Sequence, residues 1–396
     1  MLIKKQGRFD TGERQMRKDS IFMNLINKER LLNTFFEILR IKSPSKNEKE
    51  IIEYISEILK KLGLKVYKDD CGVKFNSNSG NITCYLPSND DRKRIPIFLG
   101  AHVDTVSLNG EVIPVLKNGK VLNKNKNCIL GGDDKVAVAA ILEAARVIVE
   151  NSLRTGEIFL IFTISEEAMI LGAKYLDLKK VGAEYGFVFD GEGDIGTIFD
   201  KAPYHNSIEI EITGKAAHAG TVPEKGISSI KAASDAISRL KLGRIDSETT
   251  CNIGIINGGV ATNIIPERTE IKAEARSLKL FKLQKITDRI KSTFQDSARN
   301  NKARIKIKVE REYDGFKIGE NEKVILIAKK AIQNMGIKPK IKPTGGGSDV
   351  NIFNAKGKKS ITLSSAMENV HSNNEYVKVR ELLKLSALIL EICSLT

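Results

Sequence analysis

The sequence predicts an α/β protein in which a mixed-sheet main domain carries a smaller inserted domain of ferredoxin-like βαββαβ order. Three observations predict it. Near-continuous apolar runs at 95–99, 158–164 and 185–189 are each followed closely by histidine or acidic residues, the pattern of strands covered on both faces with polar groups gathered at their carboxyl ends. Helical stretches alternate with these runs. Between Pro203 and Tyr313 the pattern changes to strands of period two and two amphipathic helices, and afterwards the α/β style returns. The main domain is therefore discontinuous, 23–203 and 314–396, with 204–313 as the insert. Residues 1–22 are polar and charged and are expected to be a mobile extension.

In chain order, helices are expected from Lys28 to Arg40 and from Glu48 to Leu62, where Ile51, Ile55, Ile58, Leu59 and Leu62 share a face and Gly63 ends the helix. Strands follow at 64–67 and 81–86. The 95–99 strand enters Gly100-Ala101-His102-Val103-Asp104-Thr105, and Asn109-Gly110 and Asn118-Gly119 suggest hairpin turns. Gly131-Gly132-Asp133-Asp134-Lys135 opens a helix reaching Glu150. The 158–164 strand ends in Ser165-Glu166-Glu167, and the 185–189 strand in Asp190-Gly191. In the insert, strands at 207–213, 250–256, 267–276 and 304–311 frame helices at 227–240 and 281–300. Beyond it come a helix at 321–335, a glycine-rich turn at 344–349, a strand at 360–363, a loop holding His371, and a closing helix at 377–393.

Composition narrows the function. The formal charge is +15, but the lysines are interleaved with acids and form no basic stripe with aromatic residues. The excess reads as solvated surface, not as a nucleic-acid interface. Five cysteines stand far apart with no Cys-x-x-Cys, which argues against a thiolate zinc site and a disulfide framework. No apolar run reaches the length of a membrane span, and no apolar signal core follows Met1–Gly7. A cytoplasmic protein without membrane or nucleic-acid partners is the expectation.

The candidate ligands, in order, are His102, Asp104, Asp133, Glu166, Glu167, Asp190 and His371. Imidazole nitrogens and carboxylate oxygens are the donors of hydrolytic metal sites, and carboxylates can bridge two ions. Singly, each has an ordinary explanation: a loop histidine, a turn aspartate, or an N-cap in the case of Asp133. Their order and their shared position at strand ends are harder to explain that way.

The series His102-Val103-Asp104-Thr105-Val106, Gly131 to Lys135, Ser165-Glu166-Glu167, Asp190-Gly191 and Glu368-Asn369-Val370-His371 resembles the two-zinc metallopeptidases that include peptidase T, carboxypeptidase G and the aminoacylases. Gly345-Gly346-Gly347-Ser348-Asp349 with Asn351, and Asn373-Asn374-Glu375, look most like the peptidase T-like branch. The resemblance implies a zinc-peptidase catalytic domain with a lid. It implies two Zn2+, with Co2+ or Mn2+ as substitutes. Asp133 would bridge them, His102 and Asp190 holding one ion and Glu167 and His371 the other. Asp104 would orient His102 through its far nitrogen. Glu166 would be the base that takes a proton from the metal-bound water. A cis peptide would follow Asp133. In the insert, Gly214 to Gly220 resembles the family's histidine loop, so His218 would stabilise the oxyanion. Asn263 and Arg276 would hold the substrate's backbone or carboxylate. His205 matches no motif and is read as structural.

The sequence departs from the family at Met169 and Ala366, where glycine is commoner, and at Val350. The implied activity is hydrolysis of short peptides from the N-terminus, as a tripeptidase or aminopeptidase. The alternative is an N-acyl-amino-acid amidohydrolase or carboxypeptidase of the same fold. The lid is expected to close about hinges near Pro203 and Tyr313 and to offer a homodimer surface.

Overall fold

The computed structural model describes residues 20–396. The expected extension lies outside the described residues up to 19. Of its described residues, Ser20 and Phe22 are packed and Ile21 is exposed: Ser20 Oγ donates to Glu391 Oε1 at 2.6 Å, and Phe22 is buried. The ordered fold thus begins before residue 23, because Phe22 supplies apolar area to the main core.

The large sheet, in spatial order, is Lys65–Lys68, Ile82–Leu86, Ile158–Thr163, Ile97–His102, Tyr185–Gly191, Lys359–Ser364, Thr197–Ala202 and Phe316–Lys317, with Lys340–Pro343 also paired to Thr197–Ala202. Its centre is parallel: Ile97–His102 pairs in parallel with both Ile158–Thr163 and Tyr185–Gly191, and the latter with Lys359–Ser364. Parallel strands bring their carboxyl ends to one edge, which is where His102, Glu166, Glu167 and Asp190 stand. Every residue of Ile97–His102 and Ile158–Thr163 is buried, which accounts for their continuous apolar character. Ile97 and Leu99 face the larger core, formed with helices Lys28–Arg40, Lys49–Lys61, Lys135–Glu150, Lys323–Asn334 and Val379–Leu395. Phe98 faces the opposite layer and meets Phe353 edge-on at 5.3 Å between ring centres.

The second sheet, in spatial order, is Gly243–Asp246, Thr249–Gly258, Arg268–Ser277, Tyr204–Thr213 and Arg304–Tyr313. Helices Ser229–Ser238 and Leu280–Asn300 cover one face around Ile208, Ile210, Ile212, Leu283, Ile290 and Phe294. The expected βαββαβ order is present with one addition, the short strand Gly243–Asp246. That strand carries little apolar periodicity and is held by pairing with Thr249–Cys251.

A small four-stranded sheet flanks the site. Its hairpin Pro114–Lys117/Lys120–Asn123 turns at Asn118-Gly119, both residues with positive φ, as a type I′ turn requires. Asn109-Gly110 makes no such hairpin.

Candidate metal centre

Three strand ends and two loops converge. His102 ends the strand Ile97–His102, and its Nε2 lies 3.2 Å from Asp133 Oδ1 and 3.9 Å from Asp190 Oδ1. His371 Nε2 lies 2.7 Å from Glu167 Oε1 and 3.2 Å from Asp133 Oδ2. The two oxygens of Asp133 therefore face two different histidines. His102, Asp133 and Asp190 form one group whose ligand atoms lie within 4.8 Å of one another, and Asp133, Glu167 and His371 form a second. These nitrogen and oxygen donors fit two divalent cations sharing one carboxylate. The peptide between Asp133 and Asp134 is cis.

Charge crowding marks the site. Burial pushes the Asp190 carboxyl well up, and Asp133 adds to the effect. Burial likewise raises Glu166 well above the usual carboxylate range; His102 opposes this, while Asp190 and Glu167 add to it. Hydrogen bonds to Asp133 and Glu167 raise the His371 imidazole to about 10. Acids gathered at this density favour a counter-cation.

Asp104 lies against the far nitrogen of His102. The His102 Nδ1 faces the backbone carbonyl of Asp104 at 3.0 Å, whereas the nearer carboxylate oxygen is 3.5 Å away. The carboxylate instead accepts the backbone N–H groups of Glu166 (2.8 Å) and Glu167 (3.1 Å) and the hydroxyl of Ser45 (2.6 Å). Asp104 thus orients the histidine by its main chain and fixes the two glutamates by its side chain.

Glu48 was not singled out in the sequence. It is fully buried, and its Oε1 accepts from Ser165 Oγ at 2.6 Å and from the Lys46 N–H at 2.7 Å. Ser165 has φ +52, a conformation that costs a non-glycine residue about 1 kcal/mol, so this clamp holds the turn presenting Glu166. Met169 and Ala366 also lie at positive φ, +69 and +73. These are backbone angles that glycine adopts more readily than either residue.

The centre opens into a cleft of about 560 Å³ lined by His102, Asp133, Glu166, Glu167, Asp190 and His371 on one side and by His205, Arg276 and Tyr313 from the second sheet. The last three are direct cross-strand neighbours. Gly347 makes room for the Tyr313 ring, which a Cβ would meet at 2.2 Å. His205 is buried, 3.3 Å from Glu274 Oε2, and Arg276 donates to the same oxygen at 3.0 Å. Its place beside Arg276 was not legible, because cross-strand register is set by pairing and not by a local motif.

His218 and Asn263 do not reach this cleft. Both are exposed. They meet each other's loop, where the Ala219 N–H donates to Asn263 O at 2.9 Å, and His218 Nδ1 lies 2.9 Å from Thr221 Oγ1. The expected contact of His218 with the metal groups is absent from this conformation of the single chain, because the loop projects from the far end of the second sheet.

Comparison with known proteins agrees with this geometry. Residues 205–302 match the family described as peptidase dimerisation domain, and 81–235 match peptidase family M28. The chain is 38% identical over 368 residues to the uncharacterized protein YqjE of Bacillus subtilis, covering 93% of this chain and 98% of that one. Its fold is similar to the crystal structure of aminopeptidase PepT from Bacillus cereus, with a TM-score of 0.83 and 37% identity, covering 93% of this chain and 99% of that one. A tripeptidase from Staphylococcus aureus gives 0.87 and 36%, covering 93% and 98%. The chain belongs to the peptidase T-like M20 metallopeptidases. It is a hydrolase of mixed α/β architecture, and among the described residues no helix is long and apolar enough to cross a membrane.

Proposed function

We propose that this metallopeptidase removes residues from the N-terminus of short peptides, as a tripeptidase or aminopeptidase, at two Zn2+ ions for which Co2+ or Mn2+ can substitute. The observation that carries the reading is Asp133, whose two oxygens each lie 3.2 Å from a different histidine. His102 and Asp190 would complete one ion's ligands, and Glu167 and His371 the other's. When bound, the ions polarise the scissile carbonyl and acidify water.

The chain's own residues do the rest. The Glu166 side chain hydrogen-bonds to none of the five candidate ligands and faces the cleft. Its carboxylate takes one proton from the attacking water and delivers it to the leaving amine, and its raised proton affinity suits that transfer. Asp104 keeps Glu166 and Glu167 apart in their two roles by holding their backbones. Arg276 meets the substrate's carboxylate from the opposite wall of the cleft.

His218 and Asn263 act on the substrate after the 204–313 unit moves, about hinges near Pro203 and Tyr313, or after a second copy docks. The domain division we propose, 204–313 inserted between a main-domain part that ends at 203 and includes Ser20 and Phe22 and a second part at 314–396, follows the change of sheet at Tyr204 and Tyr313. A homodimer through the smaller unit is supported by the matched dimerisation family. It is also supported by the edge of Thr249–Gly258 beyond Cys251, which Gly243–Asp246 does not cover, and by exposed Ile255, Ile256 and Val260 beside it. All five cysteines are unpaired, which suits a cytoplasmic enzyme.

The test compares a free tripeptide with its N-acetylated form. Release of the first residue from the free peptide alone is the expected result. Preferential hydrolysis of the acylated form would transfer the chain to the N-acyl-amino-acid amidohydrolases.

A further inference from the structure

Glu375 has no role in the chemistry described so far. It is 3% exposed. Its Oε2 accepts the N–H of Gly131 at 2.8 Å, and its Oε1 accepts those of Gly132 at 2.7 Å and Asp133 at 3.2 Å. Three consecutive main-chain donors converging on one carboxylate fix the loop that ends in Asp133. The approach is close: a Cβ on Gly132 would lie 3.1 Å from Oε1.

The same residue closes the loop that carries His371. Strands Met367–Glu368 and Tyr376–Lys378 pair antiparallel, and 369–375 joins them. The Glu375 N–H donates to Ser372 O at 3.0 Å, and Ser372 Oγ donates to Asn369 O at 2.7 Å. The Glu375 carboxylate therefore ties the His371 loop, in which its own main chain is bonded, to the segment that ends in Asp133.

We propose that Glu375 is a positioning residue coupling the two metal groups, on which the Asp133–Glu167–His371 side depends more than the His102–Asp133–Asp190 side. The asymmetry follows from counting held ligands. Asp133 and His371, two of the three ligands of the Asp133–Glu167–His371 group, sit on the two segments that this carboxylate joins, whereas in the His102–Asp133–Asp190 group only Asp133 does. His102 and Asp190 are set by strands of the large sheet instead. This inference rests on the two-metal reading above.

The experiment measures metal per chain by elemental analysis in chelator-buffered Zn2+ for the wild type and Glu375→Gln, with the melting temperature of each metal-free protein as a folding check. The amide keeps the shape, but only one of its two terminal atoms can accept. The wild type should bind two ions. Glu375→Gln should hold one at a free Zn2+ concentration that fills both wild-type sites, with the second needing roughly 10–100 times more metal. Gly132→Ala keeps the carboxylate and crowds it, so it should weaken the same ion less; it decides the matter if Glu375→Gln does not fold. Two ions at wild-type affinity, or equal weakening of both, would overturn the coupling. Fewer than two ions in the wild type would overturn the two-metal reading itself.

Discussion

On the large sheet, the five candidate ligands and Glu166 stand at strand ends or in clamped loops, within reach of one another. Buried carboxylates brace several of them: Asp104 under the glutamates and Glu48 under Ser165. On the second sheet, Arg276 lines the cleft, but His218 and Asn263 are exposed on a distant loop and bond only locally. The candidate metal ligands are thus preorganised within one chain, whereas the roles proposed for His218 and Asn263 call for motion or a partner.

The largest effect that can break this comparison is at the shared ligand. Asp133→Ala should lose both ions and reduce hydrolysis to background; retention of two ions per chain would refute the bridge. Glu166→Gln should keep both ions while kcat falls about 10²–10⁴-fold, and a loss of metal would make Glu166 a ligand instead of a base. His218→Ala sharpens the contrast from the other sheet. It should lower kcat about 10²–10³-fold with metal content and melting temperature unchanged, and unchanged turnover would remove His218 from catalysis.

The smallest effect concerns the cleft wall. His205, with Arg276 beside it, holds the Glu274 carboxyl down to about 2. The folded state thus binds this proton less tightly than the unfolded chain. The pairing stabilises above the ordinary carboxylate range near 4.5 and is lost as pH falls toward 2. Glu274→Gln should therefore lower the melting temperature at pH 6 by more than at pH 3, and an equal drop at both would assign the effect to packing.

Much of this was legible in the sequence, for physical reasons. The strands Ile97–His102 and Ile158–Thr163 show as apolar runs because both their faces are buried, and the ligands follow because parallel strands gather their ends. The second sheet's alternation made its strands readable, as with Ile305, Ile307 and Val309 against basic neighbours. The bracing was not legible. A buried glutamate that accepts main-chain N–H groups, such as Glu48 or Glu375, has the same sequence signature as a solvated one. Asp104 was assigned to His102, but which of its oxygens meets the imidazole was not legible, because the carbonyl and the carboxylate of one residue cannot be told apart before its backbone is placed. Short elements such as Leu171–Tyr175 and Asp349–Ala355 lie below the length at which periodicity speaks.

Metal content per chain before and after chelation, with hydrolysis of a free tripeptide followed on the same samples, decides whether this chain is a two-metal peptidase. Two equivalents of metal, with activity lost on their removal and restored by Zn2+ or Co2+, is the predicted result. A chain that takes up no metal when Zn2+ or Co2+ is supplied, or that hydrolyses the peptide equally well without it, would contradict the account.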